Sequence, residues 1–464
     1  MQDVVALHLE SLEDAIDRRD AKALMKVVGE LHYTDLVQYQ ETLSNEEEIQ
    51  FFVTTIGVPQ YAEVLADLPE ELIETSLFHF QSAQQQELFG HLCDDDQAKV
   101  LRALSDQRKR LVLDTIERED RQLIRSLLKY DEETAGGWMT THFGAVNIEM
   151  TVEQGLQALK ESQESTETLS RIFIVDNDGV LVGRVRFRDL AFSARDALIA
   201  DISHPVEPPL LATADQEEVV MTIKKYDLLV APVVDEQNRL LGVITHDDAM
   251  EIAEQESTED MERLAGLTGE QTESSYLYTS VATHFRRRFL WLFGLALLAI
   301  ASGYVMLQYE SILSEVYMLS LFLPMVIAAG GNTGGQAAMM VIRAMALDEL
   351  RPHDSIRVAW KEFRLGLLLG SILGISTFVI CVCVLPLFRA PLPEMVSYLD
   401  FGVAVSLALG VQVMFSTLIG ALLPLGAKSL KLDPAVIAAP AITTIVDVIG
   451  MAIYFTTAQA VLAL

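Results

Sequence analysis

"VIAAGGNTGGQAAMMVI", residues 326–342, closes a stretch from Val316 to Ile342 that holds no charged side chain. A helix needs ~20 residues to cross a ~30 Å hydrocarbon core, so the run is long enough to span a membrane. Its middle nevertheless reads Gly-Gly-Asn-Thr-Gly-Gly-Gln. Gly330/Gly334 and Gly331/Gly335 are both G-x-x-x-G pairs, which allow close helix packing. Packing alone does not call for Asn332 or Gln336. Irregular backbone at membrane depth is tolerated only where it is buried or lines a wet cavity. The insert is therefore expected to line a passage, with Asn332, Gln336 and carbonyls released by the glycines supplying oxygens.

Working outward, uncharged runs recur at 289–309, 365–388 and 401–427, and a fifth extends from Pro434 to Leu464 with one charge, Asp447. Five transmembrane helices are expected. Residues 1–285 hold 56 of the 66 acidic side chains and 23 of the 34 basic ones, a net charge of −33, whereas residues 286–464 carry a net of +1. Basic residues flanking the runs lie on one side (Arg286, Arg287, Arg288, Arg343, Arg351, Arg357, Lys361, Arg364, Lys428, Lys431), with Arg389 alone on the other. The positive-inside rule then places the acidic half in the cytoplasm and the C-terminus outside, in a multi-pass protein surrounded by membrane lipid. The opening residues carry no apolar signal-peptide core. The acidic surface disfavours nucleic acid as a partner. The cysteines Cys93, Cys381 and Cys383 make no disulfide framework, and the nine histidines form no ligand-like cluster.

The fifth run begins "LDPAVIAAPAITTIVD", residues 432–447. Asp433 before Pro434 is a good helix start. Pro440 frees the Val436 carbonyl, and Pro440, Thr444 and Asp447 share one face. Asp447 sits about 20 Å into the bilayer at ~1.5 Å per residue. A carboxylate there costs ~2.5–3.5 kcal/mol on insertion scales. No Lys or Arg inside a span can pair with it, so its natural partner is a passing cation, the alternative being a protonated Asp447 that hydrogen-bonds between helices. Thr444 and Asp447 join Asn332 and Gln336 as expected pore-lining residues.

The acidic half has three parts. Residues 1–129 read as helices only, an all-α superhelical N domain in which Leu68, Leu92 and Leu104 each precede a helix start and are expected to be buried. Residues 130–248 hold an α/β unit twice: "SRIFIVDNDGVLVGRVRFRDLA" (170–191) and "LLVAPVVDEQNRLLGVITHDDAM" (228–250) align at an offset of 59, with Asp176, Gly183 and Asp189 matching Asp235, Gly242 and Asp248. This repeat resembles a tandem pair of CBS domains, which often bind adenine nucleotides. That resemblance implies ribose contacts at Thr245 and Asp248 and an ATP site in the second copy, whereas the first copy has Arg186 in place of the hydroxyl. Residues 249–285 are expected to form an acidic connecting helix. Asp248, Glu251, Glu259 and Glu262 recur along one face, where like charges destabilise a helix. A solvated face and a cation-bridged face both fit that pattern, since carboxylates suit Mg²⁺ and Ca²⁺.

Taken together, "AEVLADL" (62–68), "YDEETAGGWMT" (130–140), "DQEEV" (215–219), "YDLLVAPVVD" (226–235), "GVITHDDAMEIAEQESTED" (242–260), "GGNTGGQ" (330–336) and "LDPAVIAAPAITTIVD" (432–447) resemble the MgtE family of magnesium channels along essentially the whole chain. The resemblance implies a homodimer in a bacterial cytoplasmic (inner) membrane, with residues 286–464 as a five-helix pore domain and the connecting helix as its plug. It implies that permeant Mg²⁺ meets Asp447 near Asn332. It further implies that regulatory Mg²⁺ is held by Glu63, Asp95, Asp215, Glu217, Asp227, Asp248, Glu251, Glu256, Glu259 and Asp433. Lys99 departs from the family pattern, standing where a carboxylate is common. No G-x-x-x-x-G-K-[ST] loop occurs, so neither a pump nor an enzyme is expected. A broader divalent carrier passing Co²⁺ or Mn²⁺, and a non-conducting membrane-anchored sensor, are the rival readings.

Overall fold

A computed structural model describes residues 2–43, 45–116, 118–161, 168–267, 279–347, 349–388, 392–394 and 396–463, without the side chains of 2–7, 119, 168–170, 435–441 and 443. The chain forms two compact units, divided in sequence after Glu256.

In the first unit, short helices run from Gln2–Asp17 to Arg118–Leu127. The three start signals read from the sequence act as expected, because Pro69, Cys93 and Ser105 each stand at the N-cap of the next helix. Leu68, Leu92 and Leu104 are buried in one core with Phe52, Tyr61 and Leu65. The Tyr61 hydroxyl donates to Gln40 Oε1 at 2.8 Å and Gln40 Nε2 donates to Ser76 Oγ at 2.7 Å, so these buried polar groups satisfy one another.

The repeat folds as two like sheets: β1 (Phe143–Asn147), β2 (Thr168–Val175) and β3 (Leu181–Val185), then β4 (Leu210–Leu211), β5 (Val230–Val234) and β6 (Leu240–Thr245). In each sheet the first pair is parallel and the second antiparallel. The aspartates matched at offset 59 do the same work. Asp176 Oδ1 accepts from the Asp178 and Val180 N–H groups at 2.9 Å, and Asp235 Oδ1 accepts from Gln237 and Arg239 at 2.9 and 2.8 Å. Such Asx turns hold the hairpins tight. The hairpins then exchange bonds, Leu181 N–H to Asn238 O and Leu240 N–H to Gly179 O, above a shared core of Phe173, Leu181, Val230, Val234 and Val243.

The connecting helix differs from expectation at both ends. It starts directly after β6, at His246, and ends at Leu264. Ala249 and Ile252 join the core of the second repeat, which is why its first turns are fixed there. Residues 281–285, assigned to the connector from sequence, open the first span instead, with Ser280 accepting from the Thr283 N–H at the N-cap. The part of the connector at 268–278 lies outside the described residues.

The second unit contains the five expected membrane-length helices: Val281–Gln308, Met318–Ala346, Ser355–Val379 (extended to Phe388 by π and 3-10 turns), Tyr398–Ser429 and Pro434–Leu462. Glycines set their closest approaches. A Cβ on Gly420 would lie 2.1 Å from the Gly334 carbonyl oxygen, and one on Gly370 would lie 2.5 Å from that of Gly410. The second and third spans are thereby held backbone to backbone against the fourth. In the third span Cys381 is buried and Cys383 exposed, so the C-x-C pair does not converge on one point.

Candidate ion site and acidic control sites

The opening stretch sorts its residues by helical phase. Gly330 and Gly334 are buried against the fourth and fifth spans. Asn332 and Gln336 are exposed on the other face and, with Gly331, Gly335, Met339 and Met340, line an open groove. The expectation of released carbonyls is corrected: Met318–Ala346 is helical throughout, and Thr333 Oγ1 turns back on the Ala329 and Gly330 carbonyls at 2.9 and 3.2 Å. The second span thus offers side-chain amides to the groove. The fifth span is continuous through Pro440, although Val436 and Pro440 lie among the residues whose side chains are not described.

Asp447 lies half-buried on that fifth span, and its Oδ1 is buried without a hydrogen-bond partner among the described residues. It is not among the residues that line the Asn332 groove. Thr444, one turn earlier, is also half-buried. A carboxylate oxygen left bare at membrane depth is costly, and a cation is the chemistry that would satisfy it.

In the first unit, Lys99 pairs with Glu251 and acts electrostatically on Asp67 and Asp96, with Asp248 acting on Asp96 in turn. Lys99 Nζ sits 2.8 Å from Glu251 Oε1. Burial above all pushes the Asp96 carboxyl up to about 7; Lys99 opposes this, while Asp248, Asp67 and Glu251 add to it. Burial likewise raises Asp67 and Asp248. Asp67 and Asp96 were missed from sequence, since an acidic run such as Asp94-Asp95-Asp96 does not say which member faces inward. The Asp95 carboxylate lies within 4.8 Å of ligand atoms of Cys93 and Asp96. Glu63 is exposed and raises its neighbour Asp67. Asp94, which was not expected to matter, is 3% exposed and is held by Thr141 Oγ1, tying the helical domain to the first repeat.

Several other expected metal acids have a local protein partner. Asp215 caps helix Gln216–Tyr226 by accepting from the Glu217 N–H at 2.9 Å, and Asp227 ends that helix with φ +48°. Asp tolerates that left-handed conformation better than most residues. The Glu217 side chain is exposed. Gln216 receives the Trp138 indole N–H at 3.0 Å and donates in turn to Glu256. In the second unit Arg263, the one basic residue of the connecting helix, pairs with both Glu259 and Asp433, at 2.7 Å to the latter, and Arg287 pairs with Glu262. At Glu251, and again at Glu259/Asp433, a protein cation stands where the family pattern implies Mg²⁺, so these two places do not fit the metal as arranged. Exposed Asp67 and half-buried Asp96 and Asp248 do fit it: they are carboxylate oxygen donors, and Asp248 and Asp67 both add to the rise at Asp96.

In the second repeat, Thr245 Oγ1 donates to Asp248 Oδ2, so the two expected ribose contacts are paired with each other. In the first repeat, Arg186 Nε donates to Asp189 Oδ2 at 2.8 Å and His204 Nε2 lies 2.8 Å from the same oxygen. Asp189 thus has two side-chain partners, Arg186 and His204, where Asp248 has Thr245.

Known proteins bear on this arrangement. Residues 31–133 match the MgtE intracellular N domain, residues 135–195 and 199–254 match the CBS domain, and residues 323–457 match the MgtE divalent cation transporter domain. The chain is 33% identical to the magnesium transporter MgtE of Thermus thermophilus, over 97% of this chain and 98% of that one. It is 27% identical to the Bacillus subtilis magnesium transporter MgtE over 95% of each. A crystal structure of the cytosolic domain of the Mg²⁺ channel MgtE in complex with ATP covers 53% of this chain and 99% of its own, with 32% identity and a TM-score of 0.50. The chain, a multi-pass membrane protein with an intracellular N domain, therefore belongs to the MgtE family of magnesium transporters and is not an enzyme.

Proposed function

We propose that this protein is a Mg²⁺-selective channel for passive uptake across the cytoplasmic membrane, working as a homodimer and closed by Mg²⁺ bound to its acidic cytoplasmic domains. The observation that carries the reading is the Asp447 carboxylate, one oxygen of which is buried and without a hydrogen-bond partner among the described residues, on a membrane-length helix. Two such side chains meeting at a two-fold axis suit Mg²⁺, which dehydrates reluctantly and prefers few carboxylates plus retained waters. Asn332, Gln336 and Thr444 add neutral oxygens along the path. The membrane potential drives the ion inward: ~2.3 kcal/mol per charge per 100 mV gives ~4.6 kcal/mol for a divalent ion.

Closure follows from charge. At low internal Mg²⁺ the −33 half repels itself; at high Mg²⁺ ions bridge carboxylates such as Asp67, Asp96 and Asp248. Each site at 100 times its dissociation constant adds ~2.7 kcal/mol to the state it prefers. Lys99 and Arg263 already supply part of that charge, so this chain closes with fewer regulatory ions than its acidic residues alone would imply. An adenine nucleotide is expected at Thr245 and Asp248 in the second repeat, with the first repeat's site filled by Arg186.

The test is Mg²⁺ flux into proteoliposomes carrying a Mg²⁺ dye, with an inside-negative potential, for wild type and Asp447→Ala. Flux lost in the folded variant supports the channel. Equal flux of Co²⁺ or Mn²⁺ in the wild type favours the broader carrier, and no flux at any Mg²⁺ concentration leaves only a sensor.

A further inference from the structure

Gln412 lies in the middle of the uncharged run 401–427, is 1% exposed, and was not anticipated from the sequence. A primary amide buried at that depth needs partners. Its Nε2 donates to the Val446 carbonyl oxygen at 3.2 Å. That carbonyl belongs to the peptide unit that begins Asp447. The amide also fills a notch cut by two glycines: a Cβ on Gly330 would lie 2.3 Å from Gln412 Nε2, and one on Gly450 would lie 2.1 Å from it. Gly330 stands two residues before Asn332 on the second span, and Gly450 three residues after Asp447 on the fifth. The Val446 side chain itself packs over the positions of Gly330 and Gly334, at 3.1 and 3.4 Å from their would-be Cβ atoms. Successive side chains project about 100° apart on a helix of ~3.6 residues per turn. Fixing Val446 therefore fixes the direction in which Asp447 points.

We propose that Gln412 is a positioning residue for the permeating ion: its amide locks the rotation of the fifth span against the second and so aims the Asp447 carboxylate. The inference rests on the reading of Asp447 as the ion's ligand. It assigns Gln412 no contact with the ion. Helix adhesion alone would predict that losing the amide lowers the amount of folded protein. Aiming predicts that the surviving protein binds the ion less well.

Gln412→Met keeps the length and most of the volume but has no donor. Measured in proteoliposomes and normalised to folded protein, its half-saturating Mg²⁺ concentration should rise about five- to tenfold, the loss expected for one net hydrogen bond, while maximal flux falls less than twofold. A second variant keeps the test open if the first misfolds: Gly450→Ala should push the amide off the carbonyl and give the same shift. Adding the shorter amide of Gln412→Asn to it should restore part of the affinity. Wild-type half-saturation in Gln412→Met, with flux reduced only in proportion to folded protein, would overturn the proposal. Asp447→Asn is measured in parallel. If that variant conducts as wild type, the ion-site reading fails; if it is silent while Gln412→Met is normal, only the positioning role fails.

Discussion

Replacing Lys99 by Met removes the ammonium that pairs with Glu251 and offsets Asp67 and Asp96, and keeps the apolar stem. At the observed 2.8 Å to Glu251, an effective dielectric constant of ~20 gives a Coulomb attraction of ~6 kcal/mol. Glu251 is 41% exposed, so solvent screening and side-chain entropy reduce the net value of that pair to about 1 kcal/mol or less. Lys99 also offsets exposed Asp67 and half-buried Asp96, and losing that offset adds a further cost of up to about 1 kcal/mol. A total of about 1–2 kcal/mol follows, a five- to thirtyfold loss in the equilibrium that holds the helical domain on the start of the connecting helix. Mg²⁺ should make good that loss, because the variant's carboxylates have no competing ammonium. The assay is energy transfer between dyes on the helical domain and the second repeat of the full-length protein, titrated with Mg²⁺. Wild type should change little, whereas Lys99→Met should be undocked without Mg²⁺ and dock steeply as it is added. Superimposable titrations for the two proteins would refute the idea that Lys99 substitutes for a regulatory ion.

Two further outcomes are expected. Gly420→Ala places a Cβ 2.1 Å from the Gly334 carbonyl oxygen; overpacking of this kind costs about 1–3 kcal/mol, read as a lower midpoint of thermal unfolding in detergent, with Gly426→Ala, where nothing lies within 4 Å, as the silent control. The Asp189 carboxyl is held below its usual value of 3.8 by the Arg186 hydrogen bond and then by His204. A depressed carboxylate stabilises the fold above its unfolded pKa and loses that contribution as pH falls through the folded one. Acid should therefore loosen the first repeat below about pH 4, and Asp189→Asn should remove that part of the pH dependence of hydrogen exchange around Arg186.

Much of the architecture was legible because it follows from local chemistry. The five spans show in the sequence because hydrocarbon excludes charge over some twenty residues at a time. The repeat shows because Asp176 and Asp235 close the same turn with the same bonds. Pro69, Cys93 and Ser105 stand at helix starts, each just ahead of a first turn that opens with acidic residues, which is local sequence information. The ends of the connecting helix were misplaced for the converse reason: Ala249 and Ile252 belong to the core of the second repeat, and an acidic composition does not reveal which residues another element will bury.

Domain order, the number of spans, the isolation of Asp447 from basic residues within them, and the family were all readable from the linear chain. Each depends on residue type, spacing or run length. How the charges and amides are matched emerges only once the chain is folded. Lys99 meets Glu251 across 152 residues of chain, Arg263 meets Asp433 across 170, and Gln412 reaches the Val446 carbonyl across 34. A carboxylate reads the same in sequence whether it awaits a metal ion or already holds a guanidinium. Which of the two it holds depends on where the chain brings the opposing charge, and electrostatic and hydrogen-bond energies fall off within a few ångströms.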